Sequence, residues 1–257
     1  MGKMNSFVRL LYRDLKAGIW STKSMIAMQL VSPLLYIFVA GFAYSSIIQS
    51  TTIGGRTVSY VLFLAPGIIV MQIMFAASIA GAMLWIDKRL AMFAQILMGP
   101  FSRWQYILSK VVSIMLQGML NASLVFLIAS PLLAGLSVSA LGLVYIVGSL
   151  VLGSLFFGSL TLAISVFIKS NESFNAILNI MLSPLMFLSS VFYSLQNVPW
   201  AIRLISLANP LTYAADMLRA GLLKAYTPYL FLEVAVLAIE SFSVFVIATI
   251  AFRRVKA

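Results

Sequence analysis

Long apolar runs separated by short polar breaks dominate the chain. Crossing about 30 Å of hydrocarbon takes about 20 apolar residues in a helix. Six stretches meet that need, at about 25–48, 58–84, 107–134, 140–168, 174–194 and 229–252. Each is continuous rather than alternating, so each predicts a helix; an open strand leaves its backbone polar groups unsatisfied in lipid. The expected fold class is an all-α integral membrane domain occupying residues 1–257. Its parts are six transmembrane helices, an N-terminal amphipathic interfacial helix over 1–24, a cytoplasmic loop over 85–106 and a re-entrant helical hairpin over 195–228.

Composition sharpens this picture. Hydrophobic residues make up 62% of the chain and charged residues 9%, against about 45–50% and about 25% in soluble domains. Too few charges remain to cover a water-facing surface. There is no cysteine and no histidine, which excludes disulfides, thiol chemistry, the usual zinc sites and a histidine proton relay. The formal charge of +11 points to basic flanks against anionic lipid rather than to nucleic acid.

Basic residues set the orientation. With the N-terminus inside, Lys3, Arg9, Arg13, Lys16, Lys23, Lys88, Arg89, Arg103, Lys110, Lys169, Arg253, Arg254 and Lys256 are cytoplasmic, thirteen of the 17; Arg56, Arg203, Arg219 and Lys224 are outside. Both termini are then cytoplasmic. The first residues show no continuous apolar core of the kind a cleavable leader has. Instead Phe7, Leu10, Leu11, Leu15 and Ile19 fall near helical spacing opposite Arg9, Arg13 and Lys16, with Trp20 at headgroup depth. That is an interfacial helix, serving as a basic anchor or as a mechanical element.

Several polar positions are candidates for function. In 85–110, WIDKRLAMFAQILMGPFSRWQYILSK, the charges Asp87, Lys88 and Arg89 sit where the second span ends. A short surface helix over 90–97 is expected to stop at Gly99-Pro100, and Trp104 and Tyr106 mark the return to the membrane. This is either a plain connection or a lever seated in a cytoplasmic partner. Asn171, Asn175, Asn179 and Ser183 recur every four residues and form a strip that either bonds neighbouring helices or lines a substrate path. Gln117 and Asn121 pose the same choice. Ser149, Gly153, Ser154 and Gly158 suit close helix packing. Glu240 lies near the middle of the last span, seven residues from Glu233, and must be neutral, paired or wetted.

The stretch SLANPLTYAADMLRAGLL (206–223) breaks the pattern of spans. Two amphipathic pieces open near Pro199 and Pro210, each too short to cross. Asn209 is placed to cap the second, and Asp216 and Arg219, three apart, can pair. A hairpin dipping into the outer leaflet fits; two helices flat on the surface are the rival.

The stretch LSSVFYSLQNVPWAIRLISLANPLTYAADMLR (188–219), the cytoplasmic loop and the six-span length together resemble the permeases of the type-2 ABC exporters, of the daunorubicin-resistance and polysaccharide-export kind. Asp87 stands where that family usually has Glu, and Ala94-Gln95 where a second acid is usual. The resemblance implies a permease rather than an enzyme, working in the cytoplasmic membrane of a prokaryote. It implies a second permease chain in a homodimer and two copies of a separate ABC ATPase, with ATP and Mg on that partner and no cofactor on this chain. The chain has no phosphate-binding Gly-x-x-x-x-Gly-Lys-Ser/Thr loop, in keeping with this. It also implies that Asp87, Lys88, Arg89, Gly99 and Pro100 couple to the ATPase, and that Pro199, Asn209, Pro210, Asp216 and Arg219 shape an outer gate. The expected function is ATP-driven export of an amphiphile (a drug, lipid or lipid-linked glycan). The alternative is a proton-coupled carrier that titrates Glu240.

Overall fold

The computed structural model describes residues 6–19, 30–48, 50–89, 98, 102–132, 136–168 and 170–253. The expected helix over 90–97, the Gly99-Pro100 turn and Trp20 lie outside them. The described elements are α1 (Ser6–Ile19), α2 (Leu30–Ser45), β1 (Ser50–Ile53), β2 (Arg56–Ser59), α3 (Tyr60–Arg89), α4 (Arg103–Ala129), α5 (Ala140–Phe167), α6 (Asn171–Phe187), α7 (Trp200–Leu207), α8 (Pro210–Leu223) and α9 (Leu230–Arg253). Among the described residues four helical stretches are long and apolar enough to cross a membrane: Tyr60–Ser78, Trp104–Ala129, Ala140–Phe167 and Leu230–Phe252. Apart from one short β-hairpin, the described residues are those of an all-α membrane protein.

Helix starts carry the caps that their sequences offer. Ser102 accepts from the Gln105 amide while the Gln105 side chain accepts from the Ser102 amide, a reciprocal box that opens α4. Ser139 and Ser170 cap α5 and α6 in the same way through one bond each. Within α2, residues Tyr36–Ala40 are wound as a π segment.

α5 is the hub of the bundle and packs on α3, α4, α8 and α9. Its small residues Ser149, Gly153, Ser154 and Gly158 are all buried, and they let neighbours approach. Ser149 Oγ donates to the Ala214 carbonyl at 2.6 Å, and the Leu152 carbonyl accepts from Ser241 Oγ at 2.9 Å. The closest approach joins α5 to α8. A Cβ on Gly221 would lie 2.6 Å from the Gly142 carbonyl oxygen and 2.6 Å from an Ile146 methylene, with the reverse clash at Gly142. Gly221→Val is therefore expected to push α8 off α5 and to cost about 3 kcal/mol, read as a lower melting temperature in detergent, with Gly41→Ala as control because a Cβ there meets only Val61 and Leu64 side chains at ordinary contact distance.

Two departures from the expected pattern have physical causes. The fifth apolar run was expected to stay helical through 194, but α6 stops at Phe187. Residues 188–192 instead form a strap whose backbone is bonded by side chains of α3 and α8. Hydropathy cannot see this, since Leu188, Val191 and Phe192 are as apolar as a helix interior. The segment after α2, expected to lie outside, forms a two-stranded antiparallel hairpin, Ser50 opposite Ser59 and Ile53 opposite Arg56. Its turn is Gly54-Gly55, both at positive φ (53° and 76°), the conformation that two-residue hairpins favour.

Candidate functional site

At one end of the bundle, four charges from three elements form a compact cluster. Arg13 and Asp14 come from α1, Asp87 from the last turn of α3, and Lys110 from the third turn of α4. Arg13 Nη2 lies 2.6 Å from Asp14 Oδ1 and 3.1 Å from Asp87 Oδ2. Lys110 Nζ lies 3.0 Å from Asp14 Oδ1 and 2.8 Å from Asp87 Oδ2. Tyr106 Oη donates to Asp87 Oδ2 at 2.9 Å, and its ring stacks on Phe252 of α9 with centroids 5.6 Å apart. Two cations and two carboxylates cancel. Asp14 and Lys110 are buried, which strengthens each contact and makes the loss of any one charge costly. Burial pulls the Arg13 guanidinium down, but Asp14 and Asp87 outweigh it and hold its pKa above the ordinary arginine value.

This cluster joins the N-terminal helix to the end of α3 and the start of α4, on either side of the segment between them. Of the residues expected there, Asp87 is a member. Lys88 and Arg89 close α3, with side chains outside the described set, as are Gly99 and Pro100. Sequence reasoning missed Asp14, Lys110 and Tyr106 as partners. The available signal was a lone acid on an otherwise basic helix.

At the other end, Arg219 is 1% exposed and uses every N–H it has. Nε donates to the Phe63 carbonyl at 3.0 Å. Nη1 donates to Ser190 Oγ at 3.0 Å and Asp216 Oδ1 at 2.7 Å. Nη2 donates to the Ser190 and Val191 carbonyls at 2.7 and 3.0 Å. The guanidinium also lies 3.9 Å from the Phe63 ring centroid. Asn209 caps α8 by accepting from the Leu211 amide at 3.0 Å. Its amide group also donates to the Leu185 and Leu188 carbonyls at 2.6 and 2.9 Å, satisfying the end of α6. Pro199 is the cap residue of α7 and Pro210 the first residue of α8.

The two helices of this segment differ sharply. Every residue of α8 except Asp216 is buried, against α3, α5 and α9, whereas α7 is largely exposed.

The remaining expected residues are not brought into one site. Asn175, Asn179 and Ser183 are exposed along α6, with Asn175 donating to Asn171 at 3.3 Å. Gln117 donates to Ser113 in its own helix at 2.9 Å. Glu240 on α9 has a buried Oε2 that finds no hydrogen-bond partner among the described residues, and no bond joins it to the α6 strip.

With this arrangement in view, comparison with known proteins is decisive on one point. The profile of the ABC-2 type transporter family matches residues 5–223. The chain belongs to the ABC-2 type transporter family. No curated protein matches it. Family membership makes this ABC-2 protein a multi-pass membrane permease rather than a catalytic enzyme, and it implies an ABC ATPase as partner. The matched region spans both the α1 cluster and the Arg219 hub.

Proposed function

We propose that the chain is the permease subunit of an ATP-driven exporter, moving an amphiphile (a drug, lipid or lipid-linked glycan) outward across the cytoplasmic membrane of a prokaryote. In this reading α2 and α6 complete six spans and both termini are cytoplasmic. Two copies of the chain pair as a homodimer and engage two ATPase copies, which hold ATP and Mg. The observation that carries the reading is the charge cluster Arg13–Asp14–Asp87–Lys110 at the root of the cytoplasmic segment. It welds α1 to the end of α3 and the start of α4, so a push on the loop from an ATPase reaches all three together. The polar strip Asn175, Asn179 and Ser183 is unfavourable against lipid and suits the wall of a path between two chains. The Asn209–Arg219 segment, re-entrant from the outer side, frames the exit.

The test is co-reconstitution of the chain with an ABC ATPase from the same organism in proteoliposomes. Outward movement of a fluorescent amphiphile should require ATP. Transport driven by a proton gradient without the ATPase would overturn the proposal. Glu240 Oε2, buried and without a hydrogen-bond partner among the described residues, favours that second reading, and one substitution separates the two. Glu240→Gln is expected to leave ATP-driven transport within about twofold, because the change is nearly isosteric; a carrier that titrates Glu240 would lose its response to the gradient.

A further inference from the structure

We propose that the cavity between the β-hairpin tip, the turn after the 188–192 strap, α8 and the first turn of α9 binds a primary ammonium group, held by Glu233, Asp216 and Thr227. The site goes beyond the exporter reading, since it concerns what the chain binds and not what drives transport.

The cavity has a volume of about 140 Å³. Distant parts of the chain close it: Gly54 from the hairpin, Gln196 from the turn, Asp216 from α8, Thr227 from the α8–α9 connection and Glu233 from α9. The hairpin is fixed over it. Arg56 Nη1 donates to the Leu223 carbonyl at 3.2 Å, satisfying the end of α8. A Cβ on Gly54 would lie 2.9 Å from the Ala225 backbone, so the turn rests directly on the chain below.

The lining carries a negative charge that the protein does not balance. Glu233 Oε2 is buried with no hydrogen-bond partner among the described residues, and so is Thr227 Oγ1. No ion pair reaches Glu233 among those residues. Arg219, on the same wall, cannot serve it, because all its N–H groups are taken. Asp216 is balanced by Arg219, and both bonds that it accepts go to Oδ1, leaving Oδ2 for a guest. The cavity therefore holds one uncompensated carboxylate, which is costly where water is scarce.

An ammonium group answers each part of this. Its charge balances Glu233, and its three N–H donors match three acceptors: the Glu233 carboxylate, which turns readily about its last bond, Asp216 Oδ2 and the Thr227 hydroxyl. Water supplies hydrogen bonds but no charge. A bare metal ion needs a close shell of oxygens, whereas carbon also lines these walls, from Ile53, Leu195 and Leu230. Oxygen beside carbon suits a charged head on a short carbon stem. With a water taking about 30 Å³, the volume admits such a head and excludes a bulky one.

The purified full chain in a neutral detergent is titrated with ethylammonium chloride, with sodium chloride at the same ionic strength, and with lysophosphatidylethanolamine and lysophosphatidylcholine of one acyl chain. A guest that binds only the folded chain raises the melting temperature. A primary ammonium should raise it by about 3 °C at saturation, and sodium chloride and lysophosphatidylcholine should not. A rise with ethylammonium assigns the site to amines arriving from water. A rise with lysophosphatidylethanolamine alone assigns it to a lipid headgroup. Either result supports the proposal. Glu233→Gln should be at least as stable as the native chain without a guest, because an amide replaces an unbalanced carboxylate, and should weaken ammonium binding about tenfold or more. Thr227→Val, which removes one acceptor, should weaken it about threefold. Glu172→Gln, exposed at the start of α6, should bind as the native chain does. No rise with either amine, an equal rise with sodium chloride or lysophosphatidylcholine, or unchanged binding in Glu233→Gln would overturn the proposal. No ATPase or gradient enters the measurement, so each of these outcomes leaves the exporter reading standing.

Discussion

Arg219→Met is expected to destabilise the protein by about 4 kcal/mol or more. The side chain it replaces is buried and donates to three backbone carbonyls (Phe63, Ser190 and Val191) as well as to Ser190 Oγ and Asp216. Methionine fills the volume but leaves those carbonyls without a donor, each costing about 1–3 kcal/mol where water cannot replace the bond. It also strands Asp216. Arg219→Lys is expected to fail nearly as badly, because three donors on one nitrogen cannot reach acceptors set out for a planar fork. Asp216→Asn should be mild by comparison, about 1 kcal/mol, since Asp216 is partly exposed and the amide oxygen still accepts from Arg219. Thermal unfolding in detergent and folded yield by size exclusion rank the three variants. Equal losses for Met and Asn would show that the ion pair, rather than the carbonyl network, holds the strap.

The second large effect is expected at the four-charge cluster. Lys110→Met leaves Asp14 and Asp87 sharing Arg13 alone, and removing one partner from a buried ionic group costs about 3–5 kcal/mol. The informative comparison is the double variant Asp14→Asn with Lys110→Met, which returns the cluster to charge balance. It should recover part of the loss, giving a coupling energy of about 1–3 kcal/mol in a double-mutant cycle. Function should follow stability only in part. If the cluster binds α1 to the loop ends, Lys110→Met should retain ATPase hydrolysis in the reconstituted complex while transport per ATP falls. Additive stabilities and an unchanged transport-to-hydrolysis ratio would remove the cluster from the coupling route.

Much of this architecture is legible in the residues, and the gaps have identifiable sources. Continuous apolar runs place α5 and α9 within a residue or two of their observed ends, since lipid-length hydropathy and capping residues agree there. The Asn209 cap and the Asp216–Arg219 pair are also readable, because both are local and depend only on spacing. What spacing cannot supply is the long-range partner. The strap carbonyls lie 28 and 29 residues from Arg219, and Phe63 lies 156 away. The four-charge cluster spans 96 residues from Asp14 to Lys110, and nothing about a lysine on an apolar helix names its acid. The β-hairpin is a different case. Gly54-Gly55 between Ser/Thr-rich stretches is a recognisable turn signal, but it is overshadowed by the long apolar runs on either side.

In the proposed placement of α1 along the inner leaflet, the ionic cluster also changes how that helix meets the bilayer. By sequence, Arg9, Arg13 and Lys16 form a basic face of three. In the folded protein Arg13 is turned to Asp14 and Asp87, whereas Arg9 and Lys16 remain exposed. An anionic leaflet therefore feels two cations on this face, not three. At about 1 kcal/mol per basic residue near a charged lipid surface, the adhesion of α1 to headgroups is weakened by roughly a third. What retains the helix is its grip on the protein, so added salt should loosen it less than its composition suggests.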